Sequence, residues 1–513
     1  MTTSDPTYLV IHGHFYQPPR EDPWTDEVPE QPSAAPFHDW NERITAECYR
    51  ANGWVSIPGP DGGEAVVNNF EHLSFNVGPT LLSWLETHHV EVYERILEAD
   101  RRTGRAIAQG YGHAILPLCN DRDLRTQVRW GIADFRHRFG RAPAGMWLPE
   151  TAVSDDVLAV LAEEGIWFTI LAPGQIEAVR RLDGTTGWEA HGPAPHEGLG
   201  PIAPDDAVTG PLDTSRPLRW CHPERVDLVV DLLVYDGALA HALAFSHPTS
   251  DDIVSAAVAG GGTGGGTGGG TGGGLVAAAT DGETFGHHHQ GAEQEVAHAL
   301  TVGAAARGVE TPRLVDLLDA RPPTHEARVR VSAWSCAHGV GRWSTDCGCS
   351  TGGEEGWTQA WRAPLRAALD LLRDWGIEVM ERRGPALFHN PWAARDAYLD
   401  LLLGAVSWPD FAAAHVVGDH HLAGVLLDAQ RNGLLMYTSC GWFFNDLAGI
   451  ETVQVLRYAA RAMDLYRELG EVPPEEAFLA VLEQAVSNDP AAGDGRRLWN
   501  EQVLPVPGSL PGG

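Results

Sequence analysis

Acidic and imidazole side chains are concentrated where an apolar segment of this chain ends. The segment LVAAATDGE, residues 275–283, changes from apolar to acidic at Asp281, and Glu283 and His287 follow closely. Glu150 has a similar position at the end of the apolar run GMWLP. Two carboxyl groups suit glycoside hydrolysis, whose retaining form uses a nucleophile and an acid/base about 5 Å apart. The alternative is that both acids cap helices, where acidic side chains are favoured.

Several histidines could line the same site. His12 and His14 are two residues apart on a predicted strand, so their side chains are expected on one face. Together with His113 they could donate hydrogen bonds to sugar hydroxyls. They could also bind Zn²⁺ with Asp281, although their spacing matches no named zinc motif. A zinc-dependent hydrolase of a mannosidase-like or deacetylase-like kind is therefore the alternative to a glycosidase.

Tryptophan is abundant, with 18 residues in the chain. Trp147, Trp334 and Trp442 lie beside the polar clusters, where flat rings could stack on sugar faces. Any one of them alone is more easily explained as a core residue. As a set they favour a carbohydrate ligand, which leaves open a third hypothesis, a glycan-binding protein without catalytic activity.

The cysteines give a weaker signal. Cys336, Cys347 and Cys349 could ligate zinc together with His338, but no Cys-x-x-Cys pair supports this, and free thiols in a loop are the preferred interpretation. We therefore predict no metal and no cofactor. The odd total of seven cysteines and an N-terminus without a signal-like apolar run predict a cytoplasmic protein.

Composition excludes several functions. The formal charge of −33 disfavours nucleic acid and anionic membranes as partners, whereas a neutral ligand is unaffected. The chain contains no lysine, so a P-loop lysine, a Schiff base and a kinase-type lysine are all absent. No stretch approaches the eighteen apolar residues of a membrane-spanning helix.

The elements that must position these residues alternate between strands and helices. Strand-like segments that end in polar or aromatic groups occur at 8–14, 72–79, 106–113, 145–150, 166–175, 227–236 and 275–283. Amphipathic helical patterns lie between several of them, at 79–99, 123–140 and 154–165. This alternation predicts a parallel sheet, with its chemistry at the carboxyl ends of the strands.

The chain divides into three predicted parts. Residues 1–320 are predicted to form a β/α barrel catalytic domain, in which the Gly/Thr repeat at 260–274 is a flexible insertion. Residues 321–487 show helical periodicity and are predicted to form a C-terminal domain that contributes to the site. Residues 488–513 are predicted to be a loose tail.

These motifs resemble glycoside hydrolase family 57, the group of α-amylases, 4-α-glucanotransferases and branching enzymes. The histidine pair His12/His14 resembles the family's first motif, GHAILPL at 112–118 its second, and the WLPE that ends at Glu150 its third. The sequence DGETFG at 281–286 matches the fourth motif throughout, and Trp442 corresponds to the aromatic residue of the fifth. Gly441 stands where some members carry an acid.

The resemblance implies a fold, an activity and a set of residues. The fold would be an incomplete seven-stranded β/α barrel followed by a helical region. The activity would be retaining hydrolysis or glycosyl transfer on α-glucan without a cofactor. Glu150 would be the nucleophile and Asp281 the acid/base. The expected substrate-binding residues are His12, His14, His113, Trp147, Glu283, His287, Trp334 and Trp442.

Overall fold

The computed structural model describes residues 6–58, 63–191, 212–260 and 274–504 and has an α/β fold. Its strands are β1 (Thr7–Phe15), β2 (Val55–Pro58), β3 (Glu64–Val67), β4 (Ser74–Val77), β5 (Ala108–Gln109), β6 (Met146–Trp147), β7 (Phe168–Leu171), β8 (Ile176–Arg181), β9 (Glu189–Ala190), β10 (Leu218–Cys221), β11 (Val229–Val234), β12 (Leu275–Asp281), β13 (Val309–Glu310) and β14 (His325–Val329).

Helices separate most of these strands and dominate the C-terminal part. They are α1 (Trp40–Ile44), α2 (Arg50–Gly53), α3 (Pro79–His88), α4 (Val90–Thr103), α5 (Asp121–Phe139), α6 (Asp155–Glu163), α7 (Gly237–Ser246), α8 (Ser250–Gly260), α9 (Ala292–His298), α10 (Ala304–Ala306), α11 (Leu314–Ala320), α12 (Arg362–Leu387), α13 (Pro391–Leu402), α14 (Trp408–His415), α15 (His420–Leu435), α16 (Cys440–Phe443), α17 (Ile450–Glu468), α18 (Glu475–Leu482) and α19 (Gly495–Leu498).

The strands that carry the predicted site run parallel to one another. β1 pairs in parallel with β12 on one side and with β4 on the other. β5 pairs with β6, and β7 pairs with β11, again in parallel. Isolated parallel bridges, Phe75 with Ala106 and Gly145 with Phe168, connect these groups. The predicted parallel arrangement and the α/β class are confirmed, and the pairing order is consistent with a barrel-like domain.

Apolar side chains hold this parallel array together. Leu9 and Ile11 of β1 are buried, as are Val276 and Ala278 of β12. Strands buried on both faces are characteristic of parallel sheets, in which helices cover each side. The core therefore lies around β1, whose last residues carry the two predicted histidines.

A second sheet extends from β11 and was not predicted. β11 pairs antiparallel with β10, β10 pairs in parallel with β14, and β14 pairs antiparallel with β8. The sequence prediction placed the chain beyond residue 320 in a helical domain, whereas β14 belongs to this sheet. Short β-segments without a long apolar run give little signal in the sequence.

The described residues form two compact units whose boundaries differ from the predicted domains. The first unit contains the described residues of Met1–Gln17, Gln31–Gln109 and Arg138–Trp334. The second contains those of Pro18–Glu30, Gly110–His137 and Ser335–Gly513. Two segments that the sequence assigned to the barrel, around 18–30 and 110–137, thus group with the C-terminal helices.

Two predicted features of the chain have different outcomes. The C-terminal tail was predicted to be loose from residue 488, yet Gly495–Leu498 and Trp499–Val503 are helical and the Trp499 side chain is buried. The indole and its apolar neighbours supply the burial that a Pro/Gly-rich composition did not suggest. The Gly/Thr repeat lies almost entirely outside the described residues. No helix in the described ranges is both long and apolar enough to cross a membrane.

Candidate active site

Asp281 is the last residue of β12, and the strand register places it next to the histidine pair. The parallel pairing of β1 with β12 aligns His14 with Asp281, and the pairing of β1 with β4 aligns His14 with Asn76. The β5–β6 pairing aligns Gln109 with Trp147. Because the carboxyl ends of parallel strands meet at one edge, these side chains lie together at that edge.

Each residue of the DGETFG segment has an identifiable contact. Glu283 is buried, and its Oε1 accepts hydrogen bonds from the Tyr49 hydroxyl at 2.6 Å and the Tyr16 backbone N–H at 3.0 Å. The Thr284 and Thr280 hydroxyls are 3.0 Å apart. The Asn52 amide donates to the Phe285 carbonyl at 2.7 Å. The segment is therefore a rigid turn.

The two glycines of this segment permit close packing. A Cβ on Gly282 would lie 2.2 Å from the Phe15 ring, and a Cβ on Gly286 would lie 2.3 Å from the Glu47 carbonyl oxygen. Gly286 also has a φ of +115°, which L side chains rarely adopt. The two glycines thus allow close contact with Phe15 and with the backbone at Glu47.

Glu150 lies in a strained turn immediately after β6. Glu150 and Thr151 have φ values of 58° and 50°, in the left-handed region that costs about 1–2 kcal/mol for a residue with a Cβ. The Trp334 indole N–H donates to Glu150 Oε2 at 3.0 Å, and the Trp334 backbone N–H donates to the Glu150 carbonyl at 3.0 Å. The Gln175 amide donates to the Thr151 carbonyl at 2.7 Å. These contacts fix a conformation that the backbone alone disfavours.

The charges of Glu150 and Asp281 interact. The pKa of the Asp281 carboxyl is raised well above its ordinary value, first by desolvation and then by the negative charges of Glu283 and Glu150. Asp281 keeps a solvent-exposed face, so this desolvation comes from the protein that surrounds the rest of its carboxyl. Burial and the charge of Asp281 also raise the pKa of Tyr235, which follows β11. The two predicted catalytic carboxylates therefore share one electrostatic environment.

The carboxyl group of Glu283 has a pKa near neutral pH. Burial raises the pKa of the Glu283 carboxyl to about 7, and the hydrogen bonds from Tyr49 and Tyr16 oppose this rise. The charge of this carboxyl sets part of the field that Asp281 experiences.

His12 and His14 form a neutral hydrogen-bonded pair. His12 contacts the Ser74 hydroxyl at 2.9 Å and Asn76 Oδ1 at 3.0 Å, and the Asn76 amide donates to His14 Nδ1 at 2.9 Å. Desolvation lowers the pKa of both imidazoles to about 3. Both rings stack on Trp147, with centroid distances of 4.9 and 5.0 Å, which agrees with the prediction that they share a face.

The zinc alternative at these histidines lacks the required geometry. His12, His14 and Asp281 do not form a set of ligand atoms close enough to hold one ion, within the described ranges. The imidazole nitrogens of the pair make hydrogen bonds to Ser74 and Asn76. The two rings are therefore part of a hydrogen-bonded group with Ser74 and Asn76.

Trp147 and Trp334 contact each other and the polar residues of the site. Trp147 is fully buried, with His12 and His14 stacked on it and Trp334 against it edge-on at 5.1 Å. It therefore supports the histidines and leaves no face for a ligand. Trp334 is half-buried and holds the Glu150 carboxylate through its indole N–H. The prediction for Trp147 is corrected, and Trp334 gains a role as a positioning residue.

His287 contacts the carboxylate of Glu47. Its Nδ1 contacts Glu47 Oε2, and its ring lies edge-on to Trp40 at a centroid distance of 6.1 Å. Burial is the largest single influence on the pKa of Glu47 and raises it, but the hydrogen bonds and charges of His287 and Arg43 together outweigh burial and lower that pKa. Glu47 also approaches Gly286, so His287 braces the turn that carries Asp281.

The remaining predicted residues, His113 and Trp442, belong to the second unit. His113 is buried with a φ of 53°, and its Nδ1 lies 2.6 Å from the Ser439 hydroxyl. Trp442 is fully buried, donates its indole N–H to the Arg362 carbonyl at 3.2 Å and lies under the Arg366 guanidinium at 4.6 Å. The predicted stacking of Trp442 on a sugar is corrected, because core contacts cover the ring.

Sequence reasoning missed several polar residues of the site. Asn76 links both histidines and donates to Gln109 Oε1 at 2.7 Å. Tyr49 anchors Glu283, and Tyr235 lies within the field of Asp281. Asn76 and Gln109 lie inside the predicted strand segments 72–79 and 106–113, and Tyr235 lies near the end of the segment 227–236. Their position could have identified them, whereas nothing in the sequence around Tyr49 indicated a role.

Comparison with known families assigns part of the chain. Residues 47–295 match the family model described as "Glycosyl hydrolase family 57", and residues 357–510 match one described as "Domain of unknown function (DUF3536)". The first matched segment contains both Glu150 and Asp281. The resemblance to family 57 is therefore confirmed for this segment.

Relatives and solved structures agree with this assignment. Alpha-amylase 1 of Dictyoglomus thermophilum is 32% identical over 92 residues, which are 18% of this chain and only 13% of that protein. The exo-type maltose-forming amylase of Pyrococcus sp. ST04 aligns with a TM-score of 0.67 at 14% identity, over 93% of this chain and 82% of that one. The α-amylase AmyC of Thermotoga maritima aligns with a TM-score of 0.54 at 12% identity, over 98% and 100% of the two chains. At such identities the structural likeness shows a shared fold.

Proposed function

We propose that this protein is a retaining glycoside hydrolase or transglycosidase that acts on α-glucan, with Glu150 as nucleophile and Asp281 as acid/base. The observation that carries the proposal is the raised pKa of Asp281, to which the charge of Glu150 contributes. A carboxyl that stays protonated beside a second carboxylate has the properties of an acid/base pair. The family 57 match over both residues supports the same assignment.

In the first step the Glu150 carboxylate attacks the anomeric carbon. Asp281 gives its proton to the departing glycosidic oxygen, so the leaving sugar departs as a neutral alcohol. The Trp334 indole holds one Glu150 oxygen, which orients the other toward the sugar. The elevated pKa of Asp281 keeps its proton available until the bond breaks.

In the second step the same residues act in reverse. Once Glu150 has become an ester, its negative charge is gone and the pKa of Asp281 falls, because one of the causes of its elevation has been removed. The oxygen of an incoming hydroxyl group attacks the anomeric carbon and gives its proton to Asp281, while the bond from that carbon to Glu150 breaks and the carboxylate leaves. Water as the acceptor gives hydrolysis, and a glucan hydroxyl gives transfer or branching.

The uncharged imidazoles of His12 and His14 suit an uncharged substrate. His12 and His14 have a pKa of about 3, so they are neutral imidazoles at physiological pH, and Glu283 adds a carboxyl fixed by Tyr49. We propose that these groups bind sugar hydroxyls. His113 and Trp442 stand at positions that resemble the family's second and fifth motifs.

The finer fold assignment belongs to the same proposal. β12, β1, β4, β5, β6, β7 and β11 would be the seven strands of the family's incomplete barrel. The parallel pairings and bridges between successive members support this order. The helices from α12 onward would form the helical region that follows the barrel.

Turnover of linear α-1,4-glucan by the full chain tests the proposal. Reducing ends, chain-length distribution and branch points are measured together, which separates hydrolysis, transfer and branching. Glu150→Gln and Asp281→Asn should each lower the rate by about 10²–10⁴-fold or more, the range for loss of an acid/base or nucleophile. Glu94→Gln is the control, since Glu94 is an exposed carboxylate paired with Arg101. Unchanged turnover in either active-site variant would refute the assignment.

A further inference from the structure

Four potential metal ligands converge in the loop before α12. The Cys336 and Cys349 sulfurs are 3.8 Å apart, the Cys336 and Cys347 sulfurs are 4.0 Å apart, and Cys349 Sγ lies 3.5 Å from His338 Nδ1. All four ligand atoms lie within 4.8 Å of one another. The sequence interpretation favoured free thiols because no Cys-x-x-Cys pair is present. The fold instead brings a Cys-x-His pair and a Cys-x-Cys pair together.

These separations match a tetrahedral zinc site. With Zn–S bonds of about 2.3 Å and Zn–N bonds of about 2.0–2.1 Å, tetrahedral angles require roughly 3.8 Å between two sulfurs and roughly 3.6 Å between a sulfur and a nitrogen. The observed Cys336–Cys349 and Cys349–His338 distances, 3.8 and 3.5 Å, agree with these values. The two sulfur–sulfur distances, 3.8 Å from Cys336 to Cys349 and 4.0 Å from Cys336 to Cys347, exceed the bond length of about 2.05 Å that a disulfide would need.

The backbone around the cluster is built to bring the ligands close. Gly348, between the two cysteines of the Cys-x-Cys pair, has a φ of +78°. A Cβ on Gly341 would lie 3.2 Å from Cys347 Cβ and 3.5 Å from His338 Cβ. Glycine at position 341 therefore allows two ligands to approach the same turn.

Donors and positive charges surround the cluster as in a metal site. The Arg342 backbone N–H donates to Cys336 Sγ at 3.3 Å, and Arg362 Nη1 donates to the Cys349 carbonyl at 2.9 Å. Among the residues that the structure describes, none accepts a hydrogen bond from Nε or Nη1 of the buried Arg342 side chain. Three thiolates, one neutral imidazole and Zn²⁺ carry a net charge of −1. That charge would stabilise these two guanidinium groups.

We propose that Cys336, His338, Cys347 and Cys349 bind one structural Zn²⁺ ion. Four protein ligands close the coordination sphere, so the ion would stabilise the loop and take no part in the glycosidase reaction. The cluster lies between the two segments that match family models, residues 47–295 and 357–510. Cys336 follows Trp334 by two positions, so the ion would anchor the segment that comes directly after the residue that holds Glu150.

Metal analysis of the full chain, purified from zinc-supplemented cells without chelator, tests the site. We expect one zinc per chain in the wild type and a loss of most of it in the Cys347→Ser/Cys349→Ser variant. Cys221→Ser is the matched control and should keep its zinc, because Cys221 lies on β10 outside the cluster. His338→Cys should also keep zinc, because it replaces one good ligand with another.

A second measurement on the wild type covers the case in which the cysteine variant does not fold. Replacement of zinc by Co²⁺ should give the visible absorption of a tetrahedral thiolate site. The proposal is overturned if the zinc-supplemented wild type contains well below one zinc ion per chain. It is equally overturned if the Cys347→Ser/Cys349→Ser variant retains as much zinc as the wild type. It is also overturned if mass spectrometry finds Cys336 in a disulfide. None of these readouts depends on glucan turnover, so failure here is distinct from failure of the proposed function.

Discussion

Glu150 and Asp281 lie at equivalent ends of two parallel strands, but their supports differ. Glu150 sits in a left-handed turn and depends on Trp334, 184 residues further along the chain. Asp281 is followed by a segment in which nearly every residue has its own packing or hydrogen-bond contact, including Glu283 with Tyr49. One carboxylate is held by a distant side chain against a strained backbone. The other ends a strand, and the turn that follows it is fixed by contacts at successive positions.

This difference explains why one motif is more recognisable than the other. Six consecutive positions, 281–286, are each restricted by a contact or by backbone geometry, so the resemblance in that segment is dense. Around Glu150 the short WLPE segment contains little besides the carboxylate and the buried Trp147. A carboxylate restrained through few positions thus leaves a shorter trace in the sequence than a turn that is restrained at each successive position.

The largest effect on the Asp281 segment should come from Gly286→Ala. The new Cβ meets the Glu47 carbonyl at 2.3 Å and the φ of +115° is unfavourable, so we expect a loss of about 3 kcal/mol of unfolding free energy from backbone strain and overpacking together. Denaturant unfolding measures it. Gly433→Ala, in the interior of α15 with nothing within 4 Å of its Cβ, should instead stabilise by about 0.5–1 kcal/mol. Equal effects would show that the turn is not rigid.

The buried Glu283 should make stability depend on pH. Its pKa rises from 4.5 to about 7 in the folded protein, so its contribution is fully present below pH 4.5 and is lost as pH rises through 7. Relative to Glu283→Gln, the wild type should lose up to about 3 kcal/mol of unfolding free energy across that interval, at 1.36 kcal/mol per pKa unit. The comparison of the two proteins removes the trends of all other groups. A wild type that gains stability relative to the variant would contradict the burial of this carboxyl.

Loss of the indole donor tests the support of Glu150. Trp334→Phe removes a hydrogen bond to a charged acceptor, worth about 1.5–3 kcal/mol, so kcat should fall by about 10–100-fold. Trp220→Phe is the matched control, because the Trp220 indole also donates to a carboxylate, that of Asp155, at a distance of 2.8 Å. Asp155 is not one of the two proposed catalytic residues. Its kcat should stay near that of the wild type. If both variants behave alike, Trp334 does not position the nucleophile.

Much of the fold could be predicted from the sequence. The strand-like segments around β1, β4, β6, β7, β11 and β12 carry local apolar patterns, and the predicted helices α5 and α6 match within a few residues. The single predicted helix over 79–99 is broken at His89, whose φ of −137° separates α3 from α4. The discontinuous units could not be predicted, because the assignment of 110–137 depends on contacts distant in the sequence.

In the candidate site, too, the features that have a local sequence pattern could be predicted, and those that depend on distant contacts could not. The residue types at strand ends indicated Asp281, Glu150, His12 and His14. The prediction that Trp147 stacks on a sugar was wrong, because the histidine rings that cover this indole are placed by strand pairing and cannot be identified from the residues around position 147. The cysteine cluster was judged unfavourable because its spacing is unusual, whereas the backbone turn at Gly348 brings its ligands together.

Trapping the covalent intermediate tests the central claim most directly. In Asp281→Asn an α-glucosyl or α-maltosyl fluoride needs no acid to leave, so Glu150 can still be glycosylated, while the missing base slows release. Mass spectrometry of the digested protein should find the sugar on the peptide that contains Glu150, and on no peptide in Glu150→Gln/Asp281→Asn. A sugar attached to any other residue, or a product of inverted configuration without an adduct, would contradict a shared site at Glu150 and Asp281.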